Sequence, residues 1–197
     1  IQVYRANDLN VKLGNDRPIE QAFAKPRGTI ATADGVLLAN SVPSDDRFQY
    51  QRLYPEGELY AALTGFFNFS RGATGLERAY NEQLSGTTAK QQVRQVGDLF
   101  VDNDRTGNLK LSVRSDVQQV AKDALGDQQG TVVALDPRTG EILALYSNPS
   151  YDPNLIASHD ITAANDAYLL LDAAERNPPL PKADREVYPP GSTIKVE

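Results

Sequence analysis

Hydrophobic positions in this chain fall in short blocks, and the spacing within a block changes along it. Residues 1–27 are polar with scattered apolar positions and break at Gly14-Asn15-Asp16-Arg17-Pro18; Asp16 to Phe23 is read as a short helix with Pro18 in its first turn. Two apolar stretches between Gly28 and Ala39 flank Asp34-Gly35. That predicts strand, tight turn, strand, because glycine tolerates the positive φ of a hairpin turn. Phe48 to Tyr60 is dense in Tyr and Phe around a Pro55-Glu56-Gly57 turn and is assigned to strand and core packing. Gly65 to Gly75 reads as a glycine-punctuated loop, and no Gly-Lys-Ser/Thr follows to make it a phosphate loop.

Helical spacing then takes over. Leu76, Ala79, Tyr80 and Leu84 share one face of a helix predicted over Leu76–Ser85, which Gly86 stops. Glu77 and Glu82 within it are assigned to a solvated surface. Lys90 to Asn108 is polar and turn-rich, a module boundary. Its Asp102-Asn103-Asp104-Arg105-Thr106-Gly107 lacks the glutamate of a calcium loop, since Val113 stands at the twelfth position.

Leu109 to Val113 alternates like a strand. Ser115 is read as a helix cap with Gln118 as its capping-box partner, ahead of an apolar stripe at Val117, Val120, Ala121, Ala124 and Leu125 that Gly126 closes. Gly130–Leu135 and Glu141–Ser147 are strands joined by an Asp136–Gly140 turn. Their near-continuous apolar character predicts central strands buried on both faces. Strand, helix, hairpin in that order gives an antiparallel sheet with a packed helix, an α+β fold. Thr162–Arg176 is a further helix, ending before Pro178-Pro179. The lone His159, with no second His or acidic cluster beside it, is assigned to an ordinary polar loop.

A formal charge of −6 argues against a nucleic-acid partner. No run reaches the roughly 20 apolar residues of a membrane span. Cysteine is absent, which excludes disulfides, thiolate catalysis and Cys-based zinc sites. Nothing in the sequence calls for a cofactor or a metal.

Chemistry concentrates in Tyr188-Pro189-Pro190-Gly191-Ser192-Thr193-Ile194-Lys195. On a helix, residues three apart share a face, so the Lys195 amine reaches the Ser192 hydroxyl. Pro-Pro-Gly in front starts such a helix and puts Ser192 in its first turn, where unpaired N–H groups and the positive end of the helix dipole favour an alkoxide or oxyanion. The same positive end, together with burial, lowers the lysine's pKa toward that of a base. The bland alternative is an N-cap serine with a solvated lysine. A helix starting near Ser192 needs about three turns to be ordinary, and only Val196 and Glu197 follow Lys195, so the chain reads as the front part of a longer protein.

Several segments resemble class B penicillin-binding proteins, whose first motif is Ser-x-x-Lys. Besides Tyr188–Lys195 these are Arg27-Gly28 with Asp34-Gly35 (Ala31-Thr32-Ala33 departs from the pattern), the Gly-Leu-Glu helix from Gly75 to Gly86, the hairpin Gly130–Ala144 and the loop Asn148–Asn154. The combination is most similar to an actinobacterial branch of the family. The resemblance implies an N-terminal mixed α/β pedestal over 1–108 and the first part of a penicillin-binding transpeptidase domain over 109–197. It implies Ser192 as nucleophile and Lys195 as base in cross-linking peptidoglycan stem peptides that end in D-Ala-D-Ala, with β-lactams as trapping inhibitors. It also implies an N-terminal membrane anchor outside this chain, an extracytoplasmic location, and the C-terminal remainder of the domain, carrying the other two motifs, as a necessary partner; residues 1–197 alone are expected to be inactive. A membrane glycosyltransferase or division protein is a further implied partner. Two other readings are a non-catalytic pedestal or interaction module, and a β-lactam sensor or β-lactamase sharing Ser-x-x-Lys.

Overall fold

The computed structural model describes residues 22–88, 107–174 and 177–179. The short helix expected at 16–23 is described only at its last two residues, and the polar stretch is described only from Gly107.

The first hairpin forms around Gly35, whose φ is +89°. Strand β1 (Ile30–Ala31) runs antiparallel to β2 (Leu37–Pro43), with Ile30 opposite Ala39, and Val36 N–H donates to Thr32 Oγ1 at 2.8 Å to close the turn. β2 continues antiparallel to β3 (Tyr50–Leu53). A 3-10 turn (Gly57–Tyr60) and a one-turn helix α1 (Ala61–Thr64) follow. The segment expected to be plain loop holds a small hairpin, β4 (Phe67–Asn68) with β5 (Gly72–Ala73). Chain from beyond residue 106 then returns as β6 (Leu109–Lys110), parallel to β1, giving the order β3-β2-β1-β6. Close approach permits this: a Cβ on Gly28 would lie 2.2 Å from Gly107 O. Ile30, Leu38, Tyr54, Tyr60, Leu84, Leu109 and Val113 form the core beneath. Each such side chain contributes about 1.5–3 kcal/mol on burial.

Leu76–Ser85 is not one helix. It divides into α2 (Gly75–Ala79) and α3 (Asn81–Leu84), and Tyr80 between them departs from helical geometry at φ −113°, ψ 27°. The break falls where the Arg27 guanidinium inserts, donating to Glu77 O at 3.2 Å and Asn81 Oδ1 at 3.0 Å. Ala79 and Tyr80, expected on the buried face, are exposed.

Helix α4 (Ser115–Leu125) packs on a hairpin of β7 (Gly130–Leu135) and β8 (Ile142–Asn148) through Ala121, Ala144 and Tyr146, with Val117, Leu125, Val132 and Ala134 around them. Val120 and Ala124 of the expected stripe face solvent instead. Gln118 occupies the buried face and is fully enclosed. No capping box forms, because Ser115 N–H and Oγ both turn to the Asp34 carboxylate in the first hairpin's turn. The two strands are not buried on both faces either. Among the described residues one helix covers one side, and Val133 and Leu135 on the other remain 46% and 56% exposed.

Asp152 starts α5 (Pro153–Ala157), and Asp160 starts α6 (Ile161–Ala173), accepting from Ala163 N–H at 3.0 Å. These two helices pack away from the β7–β8 hairpin. Ala157 enters the first core, while Tyr151 and Ile156 join Ala61 and Phe66, flanked by Tyr168 and Leu171. The architecture is α+β as expected: mostly antiparallel sheet with packed helices.

Candidate active site

Ser192 and Lys195 lie outside the described residues, as does the Pro-rich approach from 180 onward. The described part of the candidate site is the scaffold that leads toward them.

Helix α5 is its pivot. At its N-terminus the Asp152 carboxylate accepts from Asn154 N–H at 2.9 Å. The Asn154 amide then pairs with both backbone groups of Tyr54, accepting from N–H and donating to C=O, each at 2.9 Å, as a neighbouring strand residue would. At the C-terminal end the last carbonyls of a helix lack internal partners. Here Asn68 Nδ2 donates to Ile156 O at 2.6 Å and Gln51 Nε2 to Ala157 O at 2.7 Å. Nearby, Ser150 Oγ donates to Glu58 O at 2.6 Å. The buried Gln118 clasps Leu145 at both backbone groups and donates to Leu59 O at 2.8 Å, joining the β7–β8 hairpin to the 3-10 turn.

Glu77 overturns its assignment to the surface. It is fully buried between two guanidiniums, with Arg52 Nε at 2.6 Å from Oε1 and Arg27 Nη2 at 2.9 Å from Oε2. Tyr54 adds a hydroxyl donated to Oε1 at 3.4 Å. Burial, reinforced by the Glu77 charge, pushes the Tyr54 phenol well above its usual range, so it stays a proton donor. Burial also pulls the Arg27 guanidinium down, and Glu77 opposes that pull. One sequence signal could have found this: on the single helix expected over Leu76–Ser85, Glu77 lies seven residues before Leu84 and falls on the same side as that apolar residue.

His159 is a loop residue between α5 and α6, as expected, but a partnered one. Its Nδ1 meets the Asp46 carboxylate and its ring packs on Phe48 at 4.8 Å between centroids. Ser44 Oγ donates to the same Asp46 at 2.9 Å. These three residue types suggest a triad, but the connections are wrong for nucleophilic catalysis. The hydroxyl bonds the carboxylate rather than the imidazole, so the imidazole is not placed to take its proton. Among the described residues no group of three His, Cys, Asp or Glu side chains could hold a metal, and no helix is long and apolar enough to cross a membrane.

Two family models match in tandem. "Penicillin binding protein A dimerisation domain" covers residues 27–109, and "Penicillin binding protein transpeptidase domain" covers residues 130–197. A peptidoglycan D,D-transpeptidase PbpA of Mycolicibacterium smegmatis is 44% identical over 99% of this chain and 41% of its own length. A peptidoglycan D,D-transpeptidase MrdA of Acinetobacter baumannii is 35% identical over 75% of this chain and 25% of its own. The crystal structure of PBPA from Mycobacterium tuberculosis superposes with a TM-score of 0.81 at 42% identity, covering 86% of this chain and 40% of that one. The penicillin G acyl-enzyme complex of that protein gives 0.80 at 41% identity, with 86% and 40% covered. The chain belongs to the class B penicillin-binding proteins, of the PbpA type. It spans about two fifths of the length of the PbpA relatives it matches.

Proposed function

We propose that this chain is the front part of a peptidoglycan D,D-transpeptidase, with Ser192 as its nucleophile. The supporting observation is that Ser192-Thr193-Ile194-Lys195 falls within the stretch matched by the transpeptidase family, 130–197. Ser192 Oγ attacks the carbonyl carbon of the penultimate D-Ala of a stem peptide, and Lys195 takes its proton. The tetrahedral oxyanion rests on the Ser192 backbone N–H and a second donor. Collapse breaks the peptide bond, and the terminal D-Ala leaves with a proton on its amine. An amine of a neighbouring stem then attacks the acyl-enzyme, forms the cross-link and restores the serine. A β-lactam enters by the same attack and stays attached.

The division of labour we propose is a non-catalytic pedestal over 1–108 and the first part of the transpeptidase domain over 109–197. The C-terminal remainder of that domain covers the open face of the β7–β8 hairpin and supplies the other two motifs. In this reading the protein works at the extracytoplasmic face of the cell membrane, held by an N-terminal anchor, and its pedestal meets a membrane glycosyltransferase or division protein. The test is release of D-Ala from a pentapeptide donor in the presence of an amine acceptor, using the full-length protein. Release that disappears in Ser192→Ala supports the proposal; undiminished release in that variant overturns it.

A further inference from the structure

The first family match ends at residue 109 and the second begins at 130, yet among the described residues the packing runs on across that interval. Strand β6 lies in the N-terminal sheet beside β1, and Ala33 N–H donates to Val113 O at 2.9 Å. Val113 and Ala157 belong to the same core as Ile30, Leu38, Tyr54 and Tyr60. Side-chain amides cross in both directions. From the later segment, Gln118 reaches Leu59 O at 2.8 Å, and Asn154 takes both backbone groups of Tyr54. From the earlier one, Gln51 takes Ala157 O at 2.7 Å and Asn68 takes Ile156 O at 2.6 Å. On α6, Tyr168 meets Phe66 edge-on at 6.0 Å and lies 3.8 Å beneath the Arg71 guanidinium.

Each segment is thereby a condition of the other. Without residues 109–174, Tyr54 loses the partner of its N–H and its C=O, and Leu59 O loses its donor. Covered backbone groups left unpaired are costly. Without residues 22–88, Ile156 O and Ala157 O lose the amides that end α5, a helix of five residues with few internal bonds of its own. The apolar side pulls the same way. Tyr151 and Ile156 share a core with Ala61 and Phe66, so neither segment encloses its own large side chains. Domains of one chain move against each other by default, except where their interface is large and apolar. We infer that residues 22–88 and 107–174 form one cooperative unit, a coupling device in which neither the N-terminal module nor the segment from β6 to α6 opens alone. A partner that binds and stabilises the N-terminal module then stabilises α4, α6 and the β7–β8 hairpin by the same factor without touching them. The division of labour proposed above is not a division of the fold, and which residue is acylated does not affect this coupling.

The experiment is native-state hydrogen exchange of the full-length protein at low urea concentrations. It compares the slowest amides of β2, around the enclosed Leu38 and Ala39, with those of β8 and α4, around the enclosed Ala144 and Ala121. In the wild type the expected result is one common opening, with both sets converging on the same urea dependence. Two variants then perturb the unit from opposite sides. Gln118→Leu removes the bonds to Leu59 and Leu145 and is expected to speed β2 and β8 alike, by about tenfold or more. Glu77→Gln weakens the buried cluster with Arg27 and Arg52, inside the N-terminal module, and is expected to carry its own factor undiminished into β8 and α4. A folded variant that speeds exchange only on its own side would overturn the inference. So would a wild type whose two sets of amides open with different urea dependences, and that comparison decides the matter should a variant not fold.

Discussion

Arg52 and Glu77 meet at 2.6 Å with both side chains closed off from solvent, and Arg27 holds the other oxygen of the same carboxylate at 2.9 Å. One carboxylate thus ties the segment before β1, strand β3 and helix α2. Removing it leaves two guanidiniums buried with no counter-charge. Breaking a buried pair from one side costs about 3–5 kcal/mol. Glu77→Ala is expected to lose that much in urea unfolding, and Glu77→Gln less, because the amide oxygen still accepts one bond. A loss below about 1 kcal/mol for Glu77→Ala, the scale of a surface pair, would contradict the role given to the cluster.

The Asp34 contact gives a pH dependence with a defined sign. Hydrogen bonds, first from the Ser115 side chain and then from Thr32, hold the Asp34 carboxyl at about 2, against an ordinary 3.8. A carboxyl whose pKa is depressed on folding stabilises the fold above its unfolded pKa and loses that contribution as pH falls through its folded value. The contact between the first hairpin and α4 is therefore whole above about pH 4 and fades toward about pH 2. Thermal midpoints across this window should fall less steeply for Asp34→Asn than for wild type. Parallel curves would show that the carboxylate does not link folding to pH.

What the sequence disclosed follows a physical division. Features set by local chemistry were legible: the Asp34-Gly35 turn, the strand runs at 130–135 and 142–148, and the helix ahead of Pro178. Features set by distant partners were not. Gln118 reads as a capping residue until Leu145 and Leu59 arrive, from 27 and 59 positions away, to take its amide. Glu77 reads as solvated until Arg27 and Arg52 close over it. The continuous helix at 76–85 failed for the same reason, since Arg27 takes the Glu77 carbonyl at the break. Of the candidate site, Ser192 and Lys195 are expected from the Tyr188–Lys195 motif and its family resemblance and lie outside the described residues, whereas the amides that hold α5 belong to residues of no distinctive type and become visible only through the fold.

Gly28 tests the seam between β1 and β6. Any side chain there meets Gly107 O at 2.2 Å, a backbone atom that cannot swing aside. Overpacking of this kind typically costs about 1–3 kcal/mol, and more where backbone must move. Gly28→Ala is expected to lose at least that in chemical denaturation. It should also speed amide hydrogen exchange at Leu109 N–H and Leu111 N–H, which bond Thr29 O and Ala31 O across the seam. Unchanged exchange at these two amides would contradict the close-approach reading.

The exposed face of the β7–β8 hairpin gives a prediction that differs between the 197-residue chain and the full-length protein. Val133 is 46% exposed here, so Val133→Asp should change stability of the chain by no more than about 0.5 kcal/mol. In the full-length protein, where we propose that the rest of the domain covers this face, the same change buries an unpaired charge. It should then cost several kcal/mol or prevent folding. Equal, small effects in both would argue against that covering.

Ser192 is the residue we propose to be acylated. Intact-mass spectrometry of the full-length protein before and after penicillin G, followed by peptide mapping, tests it most directly. The expected result is a stable gain of one penicillin located on the peptide that contains Ser192, absent in Ser192→Ala and slowed in Lys195→Ala. A stable adduct on a different residue, or an unmodified Ser192 in a folded full-length protein, would contradict it.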